Sequence, residues 1–275
     1  MTLWQAIVFG VVQGLTEFLP ISSIAHMRLV SAFCGWTDPG AAFSAVVQLI
    51  AYLAVLLYFR QDCIGIARGA VKGVATPEGK LGWMLIAATV PIGVTGVLFR
   101  KHIEHTWRTL TVMAWALIVL GIVLAFAEWM ERRRKQRGQP LRDLYELGWR
   151  DAIVVGCFQA LALVPGASRS GSTITGGLFL GMKRDTAARF SFLMSLPAVL
   201  AAGVFELRKL HLASRAEMLN VLVAGLAAFV VGYAAVAFLL GYLRKHTTWV
   251  FIVYRIALGL ALLALLGAGT LERIK

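Results

Sequence analysis

Glu17, Ser22, Ser23 and His26 sit close together along the chain, with Gln13 one helical turn ahead of the glutamate. A carboxylate, two hydroxyls and an imidazole at this spacing supply a base and a nucleophile. Residues four apart share a helix face, so Gln13 and Glu17 project together. Pro20 ends that helix, Ser22 or Ser23 can cap the next, and His26 falls in its first turn. There the helix dipole favours the neutral imidazole, which suits a base or a nucleophile, and Ser23 is the hydroxyl it could activate. A second stretch, Pro165-Gly166-Ala167-Ser168-Arg169-Ser170-Gly171-Ser172-Thr173, carries an arginine, three serines, a threonine and two glycines. Pro165 breaks the incoming helix, Ser168 can cap a new one, and its first free N–H groups then point back at the break. With Arg169, Ser170, Gly171 and Thr173 beside them, they form an anion site, and phosphate is the obvious anion.

The elements that must position these residues are apolar. Of 275 residues, 59% are hydrophobic and 15% charged, and the mean hydropathy is +0.76. Soluble domains run near 25% charged, so this is an integral membrane protein. No alternating strand pattern occurs, so helices rather than a barrel cross the bilayer. Full-length spans are expected near 41–59, 82–99, 110–128, 187–205, 217–243 and 250–268. Two more apolar stretches, 3–33 and 150–182, are interrupted at Pro20 and at Pro165-Gly166. Both read as re-entrant helix hairpins that enter and leave on one side. An ionised group at bilayer depth costs about 2.5–3.5 kcal/mol on insertion scales, so Glu17 and Arg169 need compensation. They could pair with each other, or a divalent cation could sit on Glu17. Magnesium suits that place, because it accepts one or two carboxylates plus phosphate oxygens.

The two interrupted stretches match one another. Ala6-Ile7-Val8, Gly10, Gln13 and Leu15 reappear as Ala152-Ile153-Val154, Gly156, Gln159 and Leu161, at an offset of 146. Phe43-Ser44 corresponds to Phe190-Ser191. Each unit is one hairpin followed by three spans, and an odd number inverts the second copy. The expected fold is therefore all-α and polytopic, with six transmembrane helices and two re-entrant hairpins in an inverted-topology repeat. Residues 1–275 form one membrane domain, with repeats at 1–128 and 150–268 joined by a basic connector at 129–149. Most Lys and Arg lie in loops at 60–81, 129–150, 183–189 and 244–246, which places that face in the cytoplasm and both termini outside. The run Arg132-Arg133-Arg134-Lys135-Gln136-Arg137 reads as a solvated topology anchor.

The formal charge of +13 follows from those loops, so nucleic-acid binding is not expected. Cys34, Cys63 and Cys157 share no ligand spacing. A cleaved signal peptide is not expected either, since the first positive residue is Arg28. His102, His105, His211 and His246 lie at loop edges, and Gly176, Gly177 and Gly181 read as close helix packing. Tyr254-Arg255 inside the last span could line the site or snorkel to the edge.

The residues from Gln13-Gly14-Leu15-Thr16-Glu17-Phe18-Leu19-Pro20-Ile21-Ser22-Ser23 to Ala25-His26, together with Pro165 to Thr173, resemble the bacterial undecaprenyl pyrophosphate phosphatase family, also called the bacitracin-resistance protein family. The resemblance runs over nearly the whole chain. It implies an enzyme of the bacterial cytoplasmic membrane that removes the terminal phosphate of undecaprenyl pyrophosphate, recycling the carrier lipid for cell-wall synthesis. It also implies a site opening to the periplasmic side and a divalent cation, Mg2+ or else Ca2+. Glu17, Ser23, His26 and Arg169 would be catalytic, with Ser22, Ser168, Arg169, Ser170, Gly171 and Thr173 on the phosphates. Glu17 and Gln13 would hold the metal, although Gln13 stands where some members have a second glutamate. Ile24-Ala25 replaces the family's usual Thr-Gly. Ser23, His26 or water remains open as the nucleophile. The expected partners are a polyprenyl pyrophosphate lipid and the membrane, and a homodimer is compatible with the sequence. Inverted repeats also occur in transporters, so a flippase or secondary transporter of a prenyl phosphate lipid is the alternative, with a non-catalytic lipid-binding scaffold as a third class. Phosphate release by purified protein separates these from an enzyme.

Overall fold

The computed structural model describes residues 1–100, 102–207 and 215–269. Eleven α-helices and no strands are found among them: α1 (Leu3–Phe18), α2 (Ser23–Cys34), α3 (Gly40–Tyr58), α4 (Arg60–Val71), α5 (Pro77–Leu98), α6 (Leu110–Gln136), α7 (Trp149–Leu161), α8 (Arg169–Phe179), α9 (Arg184–Leu207), α10 (Arg215–Lys245) and α11 (Trp249–Gly267). Six of these, α3, α5, α6, α9, α10 and α11, are long and apolar enough to cross a membrane, so the chain is a multi-pass membrane protein. All six overlap the expected spans. The basic segment 60–81 is not simply a loop, because α4 and the start of α5 occupy it. The arginine run at 132–137 likewise continues α6 rather than leaving it.

Local chemistry sets the ends of the elements that carry the site. Thr2 and Gln5 form a capping box that starts α1. Pro20 lies just beyond its end, and α2 begins three residues later. Ser168 caps α8, its hydroxyl accepting from the Gly171 N–H at 3.2 Å. At both breaks the residue before the new helix is a serine in a left-handed backbone, Ser22 at φ 75° and Ser168 at φ 66°. Serine adopts this region only under constraint from its surroundings.

Small residues bring the broken helices close to the long ones. A Cβ on Gly10 of α1 would lie 2.2 Å from the Ala224 carbonyl oxygen of α10, and one on Gly156 of α7 would lie 2.4 Å from that of Ala88 on α5. The far end of α8 is closed by arginines. Arg134 donates to the Leu178 and Phe179 carbonyls at 2.9 and 2.7 Å, and Arg142 donates to the Leu180 carbonyl and to Asp151. Cations at a helix C-terminus satisfy its free carbonyls and its dipole together. Arg134 is thus a structural cap, more than the solvated anchor its sequence context suggests. Arg184 pairs with the buried Glu128 and Glu131, and Thr248 donates to Glu128 at 2.7 Å, which ties α6, α9 and the start of α11. Gly176 packs on Phe158 and Gly177 on Ala187, as expected of close-packing glycines. His246 stacks on Tyr242, and His102 lies between Phe99 and Trp107. His211, the termini beyond residue 269 and the side chain of His105 lie outside the described residues.

Candidate active site

The two breaks meet in the interior. Ser170 at the start of α8 donates to the Leu19 carbonyl at the end of α1, at 3.0 Å. Glu17 ends α1 beside this contact and is 5% exposed. Its carboxylate accepts from Gln13 Nε2 at 3.0 Å, from Ser23 Oγ at 2.7 Å and from Gln48 Nε2. Three neutral donors on one buried carboxylate satisfy it and fix both oxygens. Ser23 is the first residue of α2, so its hydroxyl and its own backbone N–H stand at that helix's open end.

No ion pair joins Glu17 to Arg169 within 4.0 Å. Gln48 of α3 stands between them instead. Its amide nitrogen donates to Glu17, and its carbonyl oxygen accepts from Arg169 Nη2 at 3.3 Å. Tyr52, one turn further along α3, takes Arg169 Nη1 at 3.5 Å and presents its ring to the guanidinium at 5.7 Å. Neither Gln48 nor Tyr52 was legible from the sequence, because a glutamine and a tyrosine inside an apolar span look like ordinary core residues. The only signal was the position of Gln48 on the face of Ser44, one turn after the repeated Phe43-Ser44 pair.

His26 makes no hydrogen bond to Ser23. Its Nδ1 meets the Ser22 carbonyl at 2.7 Å, and its Nε2 meets the Tyr254 hydroxyl at 2.6 Å. A carbonyl can only accept, so the proton of the neutral ring is on Nδ1 and Tyr254 donates to Nε2. The two rings are stacked, with planes 9° apart. The hydroxyl expected to be activated by His26 is bonded to Glu17.

The residues expected on the phosphates divide by what they touch. Arg169 lines a cavity of about 200 Å³ together with Gln13, Ser23, Gln48, Arg28 and Arg108. Ser168 caps α8, and Ser170 bonds the end of α1. Thr173 is fully buried and shares its hydroxyl with Ser191 at 2.5 Å, in the α8–α9 contact. Ser22 precedes α2, but its side chain makes no capping bond. Gly171 is glycine for a steric reason, since a Cβ there would lie 2.4 Å from Arg255 Nη1. Arg28, the first positive residue of the chain, is 6% exposed and donates to Asp38 and to the Arg108 carbonyl, both at 2.8 Å. Arg255 does not snorkel but is fully buried.

Among the described residues no three His, Cys, Asp or Glu side chains form a metal cluster. Beside the Glu17 carboxylate lie the Ser23 hydroxyl and the Gln13 and Gln48 amides, which present nitrogen to it and would offer oxygen only when turned. One carboxylate with neutral oxygens fits a hard cation whose coordination is completed by phosphate and water, and does not fit zinc.

Comparison with known proteins gives a consistent result. The chain is 52% identical to an undecaprenyl-diphosphatase of Chloroherpeton thalassium over 99% of both chains. It is 51% identical to one of Chlorobium phaeobacteroides, covering 99% of this chain and 100% of the relative, and 50% identical to one of Prosthecochloris aestuarii with the same coverage. Residues 6–261 match the family described as bacitracin resistance protein BacA, and the chain belongs to that family.

Proposed function

We propose that this protein is an integral membrane undecaprenyl-diphosphatase, hydrolysing undecaprenyl diphosphate to undecaprenyl phosphate and phosphate. That reaction returns the carrier lipid to cell-wall synthesis and fits a bacitracin resistance protein. The observation that carries the chemistry is Ser23 Oγ donating to Glu17 at 2.7 Å in a cavity that Arg169 also lines. A buried carboxylate holding a serine hydroxyl is a general base on a nucleophile. In the reaction Glu17 takes the Ser23 proton while Ser23 Oγ forms a bond to the terminal phosphorus. The bridging P–O bond breaks, and its electron pair leaves on the lipid phosphate. Arg169 and the first N–H groups of α8 hold the phosphate oxygens as charge builds. The proton on Glu17 passes to the departing lipid phosphate. Glu17 then takes a proton from water as the water oxygen bonds to phosphorus, the Ser23 Oγ–P bond breaks, and that proton returns to Ser23 Oγ as phosphate leaves. His26, held by Ser22 and Tyr254, fixes the turn that presents Ser23.

A divalent cation, Mg2+ or Ca2+, would be held by Glu17 with the Gln13 and Gln48 amides turned to offer oxygen. It would supply positive charge to the phosphate oxygens. Ser170 and Thr173 hold the start of α8 against α1 and α9. The fold reading that goes with this function is an inverted repeat of two re-entrant hairpins. The matched left-handed serines support it, as do Gly10 and Gly156, each packed on a long helix of the other half. Arg142 bonds both the start of α7 and the end of α8, as a hairpin entering and leaving on one face requires. Asp38 and Arg108, from connections expected outside, line the cavity, which favours a periplasmic opening in a bacterial inner membrane.

The test is phosphate release from undecaprenyl diphosphate by purified protein, with trapping of phosphoserine at residue 23. Lipid movement without phosphate release would replace the enzyme by a transporter. Turnover by Ser23→Ala near the wild-type rate would move the attack to water or His26. For orientation, Gly138→Cys in a chain lacking Cys34, Cys63 and Cys157 should resist impermeant thiol reagents in intact cells, and its labelling would reverse the topology.

A further inference from the structure

Arg255 is the one arginine of the last span, and nothing in the reaction above uses it. Its side chain is completely buried. Nη2 donates to the Ala167 carbonyl at 2.8 Å, while Nε and Nη1 have no hydrogen-bond partner. Among the described residues no carboxylate lies within 4.0 Å. An uncompensated charge in a span costs about 2.5–3.5 kcal/mol on insertion scales, and neighbouring pairs normally remove that cost. The place makes matters worse. The guanidinium lies under the N-terminus of α8, against Gly171 and one peptide before Ser168, where the helix dipole already repels a cation. Two unfavourable positive features at one point are relieved together by an anion bound at that helix end.

We propose that Arg255 is a positioning residue of the phosphate site: an uncompensated cation that raises the positive potential at the α8 N-terminus and clamps the Ala167–Ser168 turn. It does not line the cavity with Arg169 and Ser23, so it acts through the turn and the field rather than by touching substrate. Gly171 is the consequence in the sequence, since any side chain there would displace the guanidinium. The inference rests on reading the α8 N-terminus as the phosphate site.

Three variants separate charge from scaffold: Arg255→Met, Arg255→Gln and Arg255→Lys. Inorganic pyrophosphate serves as the probe, as a competitive inhibitor of undecaprenyl diphosphate hydrolysis. For Arg255→Met, the inhibition constant and KM are expected to rise tenfold or more with a smaller change in kcat, while the melting temperature stays level or rises because a buried unpaired charge is gone. Arg255→Lys keeps the charge and should recover to within about threefold. Arg255→Gln keeps a donor for Ala167 without charge and should resemble Arg255→Met. Recovery by Arg255→Gln but not Arg255→Lys would reduce Arg255 to a hydrogen-bonded brace and overturn the proposal, as would unchanged inhibition in Arg255→Met. A wild-type protein that hydrolyses the lipid but is indifferent to pyrophosphate would overturn the underlying phosphate site as well. Should Arg255→Met fail to fold, the contrast between Arg255→Gln and Arg255→Lys decides alone.

Discussion

Glu17 at the first break and Leu163 at the second occupy matching places, as do Ser23 and Arg169, and Gln13 and Gln159. Both breaks are built alike, with a serine at positive φ before a short helix and a glycine pressed on a long one. Their side chains differ. The first break holds a carboxylate with three donors, one of them the Ser23 hydroxyl. The second holds an arginine, a capped helix N-terminus and no acid. Beside Leu163, Gln159 keeps one weak contact, accepting from Ser195 at 3.3 Å, and its Nε2 is buried without a partner. Two similarly built breaks thus bring two helix ends to one point, and under the proposed function their different side chains make one the base side and the other the anion side.

The strongest test of that division is Glu17→Gln. The amide preserves shape and cannot take a proton, so hydrolysis should fall by about 10²- to 10⁴-fold, the usual worth of a positioned base. The melting temperature of the solubilised protein should hold. Turnover near wild type would leave the first break without a base and dissolve the comparison. Arg169→Lys probes the other side. Lysine keeps the charge but loses the planar fork, which should lower kcat/KM by roughly ten- to a hundred-and-fiftyfold, or about 1.5–3 kcal/mol. A lysine variant within about twofold of wild type would show that charge alone is needed there.

Gln48 joins the two sides, and its loss should have an intermediate effect. Gln48→Leu removes a donor from Glu17 and an acceptor from Arg169 while Gln13, Ser23 and Tyr52 keep their bonds. A fall of about tenfold in kcat/KM is expected, less than for either charged partner. Kinetics at saturating lipid and at low lipid would tell whether the bridge serves binding or turnover. An unaltered kcat/KM would make Gln48 mere packing.

Composition and periodicity made the six spans legible, because twenty apolar residues leave few alternatives in a bilayer. The breaks were legible for the opposite reason: Pro20, Pro165 and the hydroxyl clusters oppose a continuous helix. What the sequence hid was pairing across the fold. Glu17 and Arg169 looked like natural ion-pair partners, yet Gln48 separates them. Ser23 and His26 looked like a pair on one face, yet a carboxylate preceding the break and a tyrosine from α11 take their polar atoms. Arg134 looked like part of a topology signal and caps α8 from a helix no local pattern connects to it. Local spacing names candidates, and contacts between distant helices decide which of them touch.

The smallest expected effect is the most discriminating for the comparison itself. Gln159→Leu alters the second-break counterpart of Gln13. If the halves were functionally equivalent, this change should cost as much activity as Gln13→Leu. The structure argues otherwise. Gln159 carries an orphaned buried donor, whose desolvation already costs about 1–3 kcal/mol in the native state. Leucine is close in size and removes both donor and acceptor. Ser195, which would lose Gln159, keeps its 2.8 Å bond to the Ser191 carbonyl. Gln13→Leu, by contrast, strips a 3.0 Å donor from the carboxylate that holds Ser23. Gln159→Leu should therefore leave kcat/KM within about twofold and keep or raise the melting temperature, while Gln13→Leu lowers kcat/KM several-fold. Comparable losses in the two variants, at unchanged stability, would mean that the second break still shares in proton transfer.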